Sequence, residues 1–488
     1  MSTLAQGWTI TSIGNVTCAI EQREPSGDNE FLYIDISAID RYTKTISAPQ
    51  RLSPKNAPSR ARKVVRVGDV LVSMTRPNLN AVAMVDASLD GEIASTGFDV
   101  LRGIELDPRW LYYSVRSYAF VDAMSSLVQG ALYPAIKSTD VRKFEIPLAP
   151  LAEQKRIADK LDSMLERVDA CRKRLDCIPL VLKRLRQSIL SAATSGALTA
   201  DWREIEVQTI GQAGVEVSKK EKLRNGKLRV KTQGTGLQNN SPYEIPQSWT
   251  WLSNHRLAED ATTSICAGPF GTIFKAKDFR ESGVPIIFLR HVGVGKYLTH
   301  KPSFMDREIW EKNHRPYSLV GGELLVTKLG DPPGTACIYP KTAGVAMVTP
   351  DVMKMSVDSD VAHPMYLMHF FNSPASKEIV RELAFGVTRL RIDLSMFKSF
   401  PIPLPPITEQ VEIVRRVRTL FDFVDRLEAR LANARAAADR LTPALLAKAF
   451  RGELVPQDSD DEPAADLLKR LAAIRAARKP GMERTEKD

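Results

Sequence analysis

The residues with the clearest chemical potential are basic and amide side chains in the first third of the chain. Residues 51–66 contain six basic side chains and no acidic one, and Arg76, Asn78 and Asn80 follow an apolar run that is typical of a strand. In the major groove of DNA, arginine reads guanine and asparagine reads adenine through paired hydrogen bonds, whereas lysine mostly contacts phosphate. The sequence therefore predicts a DNA-binding surface that includes Arg51, Lys55, Arg60, Arg62, Lys63, Arg76, Asn78 and Asn80.

The second half of the chain carries a comparable basic set. Its candidate contacts are Lys275, Lys277, Arg290, His291, Lys296, Lys328, Arg389 and Arg391. Any one of these residues could instead be a solvated surface charge, but the whole chain has a formal net charge of +10 over 488 residues. Such an excess favours a polyanionic partner, and nucleic acid is the first candidate.

A search for catalytic motifs finds none that is convincing. The segment Asp331-Pro332-Pro333 resembles the start of the loop in which amino-methyltransferases stack an aromatic ring on a flipped base, but the next residue is Gly334. The sequence also lacks a phosphate-binding loop and a Gly-rich loop after a strand that could hold a methyl donor, and its six histidines all lie in the second half. We therefore predict no catalytic residue, no metal site and no cofactor bound by this chain.

An internal repeat organises the sequence. Residues 146–157 recur at 402–413, an offset of 256 residues (402 − 146), and the same offset carries Gly130 onto Gly386 and Gly196 onto Gly452 without a gap. The chain thus consists of two half-proteins, each with a globular part of mixed strand and helix signals and a long helical part. The predicted fold class is α+β, with two globular domains separated by two long helices and related by an internal pseudo-two-fold repeat.

Each helical part carries apolar residues that alternate at spacings of three and four, as in a heptad seam. The seam consists of Val168, Cys171, Leu175, Ile178, Leu182, Leu185 and Ile189 in the first copy, and of Val424, Leu427, Leu431, Ala434, Ala438, Leu441 and Leu445 in the second. Two stripes of equal length can bury each other as an antiparallel, coiled-coil-like pair, although each could instead pack on its own globular domain. Thr408 is the predicted N-cap of the second helix, and Pro179 and Pro443 are expected to kink or break the helices.

These patterns predict six segments. The first globular domain covers residues 1–150, and the first long helix covers 151–205. A basic flexible linker covers 206–241, the second globular domain 242–407 and the second long helix 408–455. Residues 456–488 form a C-terminal tail with a short helix and a frayed end from Pro480. No run approaches the roughly 18 apolar residues of a membrane helix, and the five cysteines are scattered, so we expect a cytoplasmic protein without a membrane partner.

The repeated segments are specific enough to suggest a family. IPLAPLAEQKRIADKLD and IPLPPITEQVEIVRRV, each at the entry to a long helix, resemble the paired repeats of the specificity subunit of type I restriction-modification systems. The resemblance covers nearly the whole chain. One departure is that residues 268–279 have no good counterpart in the first half, so contact residues cannot be transferred across the repeat.

The resemblance implies a non-catalytic DNA-recognition subunit for phage defence. In such a subunit each globular part is a target recognition domain that reads one half of a bipartite, asymmetric site in double-stranded DNA. The long helices set the spacing and dock two modification subunits, which bind S-adenosylmethionine and methylate adenine. Two restriction subunits add ATP- and Mg-dependent cleavage.

Two alternatives remain open from the sequence. A self-contained DNA adenine methyltransferase would transfer methyl groups without any added subunit. A scaffold that binds only protein would lack salt-dependent DNA binding.

Overall fold

The computed structural model describes residues 4–128, 133–212, 242–270, 274–386 and 389–478. The chain divides into two compact units. Unit 1 consists of Met1–Asp176 and Leu431–Asp488, and unit 2 consists of Cys177–Arg430. Each unit therefore contains one globular domain together with segments of both long helices.

Unit 1 contains two four-stranded sheets. Its strands are β1 Thr9–Ser12, β2 Thr17–Cys18, β3 Phe31–Ile34, β4 Ile39–Asp40, β5 Thr45–Ile46, β6 Gln50–Leu52, β7 Ala61–Val64, β8 Val70–Ser73, β9 Val82–Met84, β10 Ile93–Ser95, β11 Phe98–Gly103 and β12 Glu145–Leu148. The strand orders are β6-β3-β10-β7 and β2-β11-β8-β9, with a β4-β5 hairpin and a β1-β12 pair. The short helices are α1 Pro108–Ser114, α2 Tyr118–Ser126 and α3 Ser138–Lys143.

The two long helices are α4 Leu151–Ser195 and α10 Ile407–Ala449. The shorter helix α5 Ala200–Gln212 follows α4. A last helix, α11, spans Ala464–Arg478. None of the helices among the described residues combines the length and apolarity needed to cross a membrane.

Unit 2 repeats the strand plan of unit 1. Its strands are β13 Thr250–Ser253, β14 Ile265–Ala267, β15 Phe279–Arg280, β16 Val284–Ile287, β17 Val292–Gly293, β18 Lys296–Tyr297, β19 Phe304–Met305, β20 Ser318–Leu319, β21 Leu324–Thr327, β22 Ala336–Ile338, β23 Ala346–Val348, β24 Val352–Met355 and β25 Pro401–Leu404. The orders are β14-β24-β21-β22 and β15-β19-β16-β23-β20, with β13-β25 and β17-β18 pairs. Its helices are α6 Arg307–Asn313, α7 Pro364–Phe371, α8 Pro374–Leu383 and α9 Leu394–Ser399.

The central strand β8 shows how each globular core is built. All four of its residues are buried. Val70 and Val72 pack into the cluster that contains the helices, while Leu71 packs into the cluster that contains the other sheet. Successive side chains of a strand point to opposite faces, so a strand with both faces covered reads as a continuous apolar run. Both units also contain one parallel pair, β3 with β10 and β16 with β23. The α+β repeat predicted from the sequence is confirmed.

The repeat is gapless for longer than the sequence comparison suggests. Asp107 caps α1 and His363 caps α7, each followed by a proline, and the two caps are 256 residues apart. Ser117 and Ser373 cap α2 and α8 at the same offset. Side chains that accept a hydrogen bond at the helix N-terminus stabilise it. The helices that pack on the long helices therefore begin at equivalent residues in both copies.

Within each unit, the segments of α4 and α10 run antiparallel. In unit 1, Arg172 lies 3.5 Å from Asp439, and Arg435 lies 2.8 Å from Asp176. From the first pair to the second, the residue number rises along α4 and falls along α10, which shows that the two segments are antiparallel. In unit 2, Arg186 pairs with Asp425 and with Glu428, at 3.2 Å from the latter. The antiparallel pairing predicted from the seam is confirmed inside each unit.

The seam itself differs from the prediction at four positions. The buried seam residues are Val168, Leu182, Ile189, Val424, Leu431, Ala438 and Leu445, and Leu175, Ile178 and Leu427 are half-buried. The exposed ones are Cys171, Leu185, Ala434 and Leu441, and in each case the next residue, Arg172, Arg186, Arg435 or Thr442, takes the inward position. A step of four residues continues a heptad as well as a step of three. Because Arg186 is neutralised by Asp425 and Glu428, it can replace the expected leucine.

Pro179 and Pro443 do not end either long helix, so of the two expected outcomes, a kink or a break, the break is wrong. A proline inside a helix leaves one carbonyl four residues earlier without its amide donor. Pro179 leaves the Leu175 carbonyl without its helical donor, and this carbonyl accepts a hydrogen bond from Arg435 Nη2 at 3.3 Å instead. Near Pro443, the Ala438 carbonyl, one residue before the carbonyl that this proline affects, accepts from Arg172 Nη2 at 3.2 Å. An arginine of the opposing helix thus compensates for the lost backbone hydrogen bond at Pro179.

The ends of the segments also differ from the prediction. α10 begins at Ile407 rather than after Thr408, because the Pro406 carbonyl already accepts the hydrogen bond from Gln410 N at 3.0 Å. α5 occupies residues 206–212 of the predicted linker, and the remaining residues 213–241 lie outside the described residues. The C-terminal helix α11 packs Leu467 and Leu471 into the core of unit 1, while the predicted frayed end at Pro480 lies outside the described residues.

Candidate nucleic-acid interface

The loop between β8 and β9, residues 74–81 and called loop A here, carries the strongest candidates of unit 1. Pro77–Leu79 form a single 3-10 turn, and the flanking Arg76 and Asn80 have φ values of 49° and 45°. This left-handed backbone is uncommon for residues other than glycine. The Arg76 amide donates to the Pro134 carbonyl at 2.8 Å, so the backbone of Arg76 is fixed. Its side chain is exposed, as is that of Asn78.

Loop A shares a pocket with a second arginine. Arg60 and Arg76 line a cavity of about 460 Å³ together with Tyr33, Asp35 and Ser37. The cavity therefore combines guanidinium donors with carboxylate and hydroxyl groups that can accept or donate hydrogen bonds. Donors and acceptors of this kind are what base edges in the major groove require.

Two predicted contacts of unit 1 are already engaged inside the domain. Lys63, in β7, donates from Nζ to the Phe98 carbonyl, and burial lowers the pKa of the Lys63 ammonium. The Asn80 amide donates to the Val115 carbonyl at 2.8 Å and accepts from Lys44 Nζ at 3.1 Å. An amide used in this way cannot also form a bidentate pair with adenine. We therefore remove Lys63 and Asn80 from the proposed contact set.

The remaining basic residues of this set lie on the surface of unit 1. Lys55 is exposed in a 3-10 turn. Arg51 is 3.9 Å from Glu30, and Arg62 is 3.0 Å from Glu24. Exposed ion pairs are weak, so both arginines can exchange their carboxylate for a phosphate at low cost.

Loop B, residues 328–335 between β21 and β22, occupies the corresponding place in unit 2. The segment Asp331-Pro332-Pro333-Gly334 forms its turn, and the Thr335 amide donates to Thr327 Oγ1 at 2.9 Å. The Ile392 amide donates to the Lys328 carbonyl at 3.0 Å, and Leu329 forms a β-bridge with Arg391. The structure thus brings together Lys328 and Arg391, which are far apart in sequence.

Each cation of this pair covers an exposed aromatic ring. Lys328 Nζ lies 4.4 Å from the ring centroid of Phe270, and the Arg391 guanidinium lies 5.6 Å from that of Phe385. The face of an aromatic ring attracts a cation, and an exposed ring can also stack on a base. Unit 1 offers a comparable ring next to loop A, since Tyr133 is 86% exposed. Sequence inspection missed these rings, because Phe270 and Phe385 are not adjacent in the chain to the cations that they contact.

The other predicted residues of unit 2 have different surroundings. His291 is only 3% exposed, its ring accepts a hydrogen bond from Phe288 N at 2.9 Å, and burial lowers its pKa. A buried neutral histidine is no DNA contact, so His291 also leaves the proposed set. Arg290 is exposed above the Phe288 ring. The exposed residues of this set also include Lys275, Lys277, Lys296 and Arg389.

The Glu-Gln pair of the repeated motif joins each globular domain to its helices. Glu153 Oε2 accepts from Trp8 Nε1 at 2.8 Å, and Glu409 Oε2 accepts from Trp249 Nε1 at 2.9 Å. The neighbouring Gln154 donates to the Ala149 carbonyl and accepts, at 3.3 Å, from the amide of the residue that caps α1. Gln410 forms the equivalent bonds in unit 2. The repeated tryptophans and the repeated Glu-Gln pair were visible in the sequence, but their pairing was not.

Among the described residues, no group of three or more His, Cys, Asp or Glu side chains is arranged to hold a metal ion. Two features recur in both units. One is a loop with a basic residue between equivalent strands, and the other is the joint, the buried Trp-Glu hydrogen bond that connects each globular domain to the antiparallel helices. Together they define a two-domain protein whose related but non-identical domains each carry a candidate DNA-binding loop.

Comparison with known proteins identifies the family. The profile of the type I restriction modification DNA specificity domain matches residues 8–178 and 350–434. The chain therefore belongs to this family. It is 29% identical to the EcoKI specificity subunit of Escherichia coli K12, with 97% of each chain covered. It is also 29% identical to the EcoBI specificity subunit of Escherichia coli, covering 76% of this chain and 72% of that one.

Solved structures agree with this assignment. A chain from a structure that describes complex assembly and conformational transition of the type I R-M system superimposes with a TM-score of 0.69 and 25% identity. The match covers 93% of this chain and 100% of that one. The HsdS subunit from Thermoanaerobacter tengcongensis gives a TM-score of 0.62 at 24% identity, covering 92% and 98%, and supports the fold.

Proposed function

We propose that this chain is the DNA specificity subunit of a type I restriction-modification complex. Each globular domain reads one half of a bipartite target, and the long helices set the spacing and dock the modification subunits. The observation that carries the proposal is the presence of loop A and loop B at the same point of the same fold, with different side chains. Loop A offers Arg76 and Asn78, whereas loop B offers Lys328 and, from the adjoining segment, Arg391.

Different side chains on equivalent loops imply an asymmetric target. An exposed arginine or asparagine can form bidentate contacts with guanine or adenine, and a lysine favours phosphate or a single acceptor. Two domains of one chain that carry different sets read two different short sequences. The base pairs between these sequences are spanned and remain unread, as in other bipartite DNA-binding proteins.

The chemistry belongs to the partners in this proposal. Two modification subunits bind S-adenosylmethionine and methylate adenine, and two restriction subunits use ATP and Mg for cleavage. The chain itself contributes affinity and sequence selection, without a catalytic residue or bound cofactor. Such a complex works on the DNA of its host, in the cytoplasm.

Genome-wide mapping of methylated adenine tests the proposal. Two otherwise identical host strains are compared, one of which lacks the gene for this chain. We expect one bipartite motif to be methylated only in the strain that has the gene. An unchanged set of methylated adenines would contradict the proposed function, as would methyl transfer by this purified chain alone.

A further inference from the structure

Loop A is paired with a second segment of unit 1, residues 133–136. Thr75 forms an antiparallel β-bridge with Ala135, and the amide of the next residue, Arg76, donates to the Pro134 carbonyl at 2.8 Å. The exposed side chain of Arg76 therefore starts from a backbone position that this pairing fixes.

Loop B has the same pairing in unit 2. Leu329 forms an antiparallel β-bridge with Arg391, and the amide of the next residue, Gly330, donates to the Leu390 carbonyl at 3.3 Å. The matching bridge and hydrogen bond make Gly330 the counterpart of Arg76. The position that carries a base-reading candidate in unit 1 thus has no side chain in unit 2.

Unit 2 carries two cation–aromatic pairs at this place instead. Lys328, the residue before the bridge, lies over the ring of Phe270, and Arg391, in the bridge itself, lies over the ring of Phe385. The two phenylalanines are 57% and 44% exposed. In unit 1 the positions equivalent to both cations hold uncharged residues. The paired segments of the two units therefore offer different chemistry to DNA.

Both phenylalanines are mounted on a fixed backbone. The Phe385 amide donates to the Arg391 carbonyl at 3.0 Å, and the Phe385 carbonyl accepts from the Arg391 amide at 2.9 Å. Phe270 follows Gly268, where the chain runs so close to β23 that an added Cβ would lie 2.2 Å from the Val348 carbonyl oxygen. A group that is already held in place loses little freedom on binding. The rings are therefore preorganised for a contact.

The cations that cover the rings can be transferred to DNA. Arg391 is exposed and Lys328 is half-buried. A cation over an exposed ring is held only weakly, whereas DNA phosphates attract lysine and arginine strongly. Movement of each cation from its ring to a phosphate uncovers the face of the ring.

An uncovered ring gains most by stacking on a base. In an intact duplex the base faces are covered by their neighbours, so the ring reaches a face only where two adjacent base pairs separate. Phenylalanine and other apolar side chains act as such wedges in DNA-binding proteins, where they partly unstack a base step and kink the duplex. The steps that open most easily are pyrimidine–purine steps, TA and CA/TG.

We propose that unit 2 recognises its half-site, called the second half-site here, partly through the deformability of the DNA. Phe270 and Phe385 stack on the bases of an opened pyrimidine–purine step. Lys328 and Arg391 move from the rings to the phosphates beside that step. The inference rests on the proposed function, and it makes the substrate of unit 2 a half-site that contains a flexible step. Unit 1, with Arg76 at the equivalent position, reads its half-site through base edges.

The test uses the purified complex of this chain with its modification subunits and a duplex that carries the methylated motif. Affinity is measured for the intact duplex and for duplexes with one nick, placed in turn at every step of both half-sites. A nick that keeps its phosphate lowers the cost of opening a step and changes no base. We expect a nick at one pyrimidine–purine step of the second half-site to raise the affinity of the wild-type complex.

Ring variants show whether the phenylalanines cause this effect. Phe270→Ala and Phe385→Ala should each weaken binding to the intact duplex about 5- to 150-fold, the loss of one stacked base, and should abolish the gain from the nick. Phe385→Trp retains a ring and should preserve both properties. The matched control is Phe423→Ala, because Phe423 is 47% exposed on α10 and has the Arg426 guanidinium 5.9 Å from its ring centroid. This control should change neither measurement.

Phenylalanine variants that bind the intact duplex like the wild type would overturn the inference, as would nicks that act equally on wild type and variants. Loss of complex assembly with unchanged DNA binding would assign the rings to a protein contact and would overturn it too. If a variant does not fold, the wild-type nick series still decides, since no responsive pyrimidine–purine step in the second half-site contradicts the inference. All these results leave the proposed function intact. A wild-type complex without any sequence preference would instead contradict both.

Discussion

The joints between the globular domains and the helices provide a sharp prediction, because two equivalent glutamates have unequal surroundings. Glu409 Oε2 accepts from Trp249, and Glu409 Oε1 accepts from Thr199 at 2.7 Å and pairs with Arg203. Glu153 Oε2 accepts from Trp8, but its buried Oε1 has no hydrogen-bond partner among the described residues. The same substitution at the two sites should therefore have different consequences.

Glu409→Gln removes the charge that compensates Arg203, whose side chain is only 20% exposed. Breaking a buried ion pair by removing one partner costs about 3–5 kcal/mol. Because Arg203 retains some solvent contact and a hydrogen bond to the Gly196 carbonyl, we expect the lower end, about 3 kcal/mol, for unit 2.

Glu153→Gln should change the free energy of unfolding of unit 1 by less than about 1 kcal/mol, because it removes a buried charge whose second oxygen makes no bond. Burial raises the pKa of Glu153 above its ordinary value. The folded state thus holds this proton more tightly than the unfolded state does, and stability gains from protonation as pH falls from the raised pKa towards 4.5. The variant should lose this contribution.

Hydrogen exchange under native conditions, read by mass spectrometry on peptides from 151–160 and 407–416, measures both joints in the intact chain. We expect Glu409→Gln to accelerate exchange in the second peptide and Glu153→Gln to leave the first nearly unchanged at pH 7. Equal losses at the two sites, or a larger loss for Glu153→Gln, would refute the reasoning from unequal pairing.

Three further predictions follow from the site and the helices. Arg76→Ala should cost about 1–3 kcal/mol in binding to the cognate duplex and relax one base position, which titration on matched and mismatched duplexes would detect; an equal loss on all duplexes would assign Arg76 to phosphate. Inserting four residues after Leu431 adds about 6 Å of helical rise, so methylation mapping should find a changed number of unread base pairs or no activity, and an unchanged motif at full efficiency would exclude the helices as the ruler. Leu467→Ala, in α11, should destabilise unit 1 by about 2–5 kcal/mol in denaturant unfolding, whereas no change would show that α11 does not contribute to its core.

The repeat and the long helices could be predicted from the sequence because each leaves a periodic signal. The offset of 256 residues is visible in identical residues such as Gly196 and Gly452. Both glycines follow a long helix with positive φ, and a Cβ at Gly196 would lie 2.4 Å from Pro246. A periodic apolar stripe and a terminating glycine are local features, so sequence reasoning reaches them.

The exceptions in the seam and the continuity of the helices through the prolines could not be predicted because they depend on the partner helix. The sequence favours Leu185 over Arg186 at an inward position on hydrophobicity alone. Only the neighbouring carboxylates of α10 make the arginine acceptable there. In the same way, Arg435 reaches the carbonyl that Pro179 leaves without its helical donor. Contacts between segments about 250 residues apart in the chain leave no local signal.

The sequence places the candidate contacts only roughly. Arg76, Asn78 and Lys328 lie on equivalent loops, which the strand order of the two units shows and the sequence alone did not. Asn80 and His291 have suitable chemistry, but their polar atoms bond within their own domains. Residue type alone does not distinguish a side chain that supports a loop from one that is exposed on it.

The most direct test of the central claim exchanges residues 1–150 for the corresponding segment of a family relative with a different target, followed by genome-wide mapping of methylated adenine. If each globular domain reads one half-site, the first half of the methylated motif changes to that of the relative. The second half, read by the domain that carries loop B, stays as it was. A motif in which both halves change, or in which neither changes, would contradict the account.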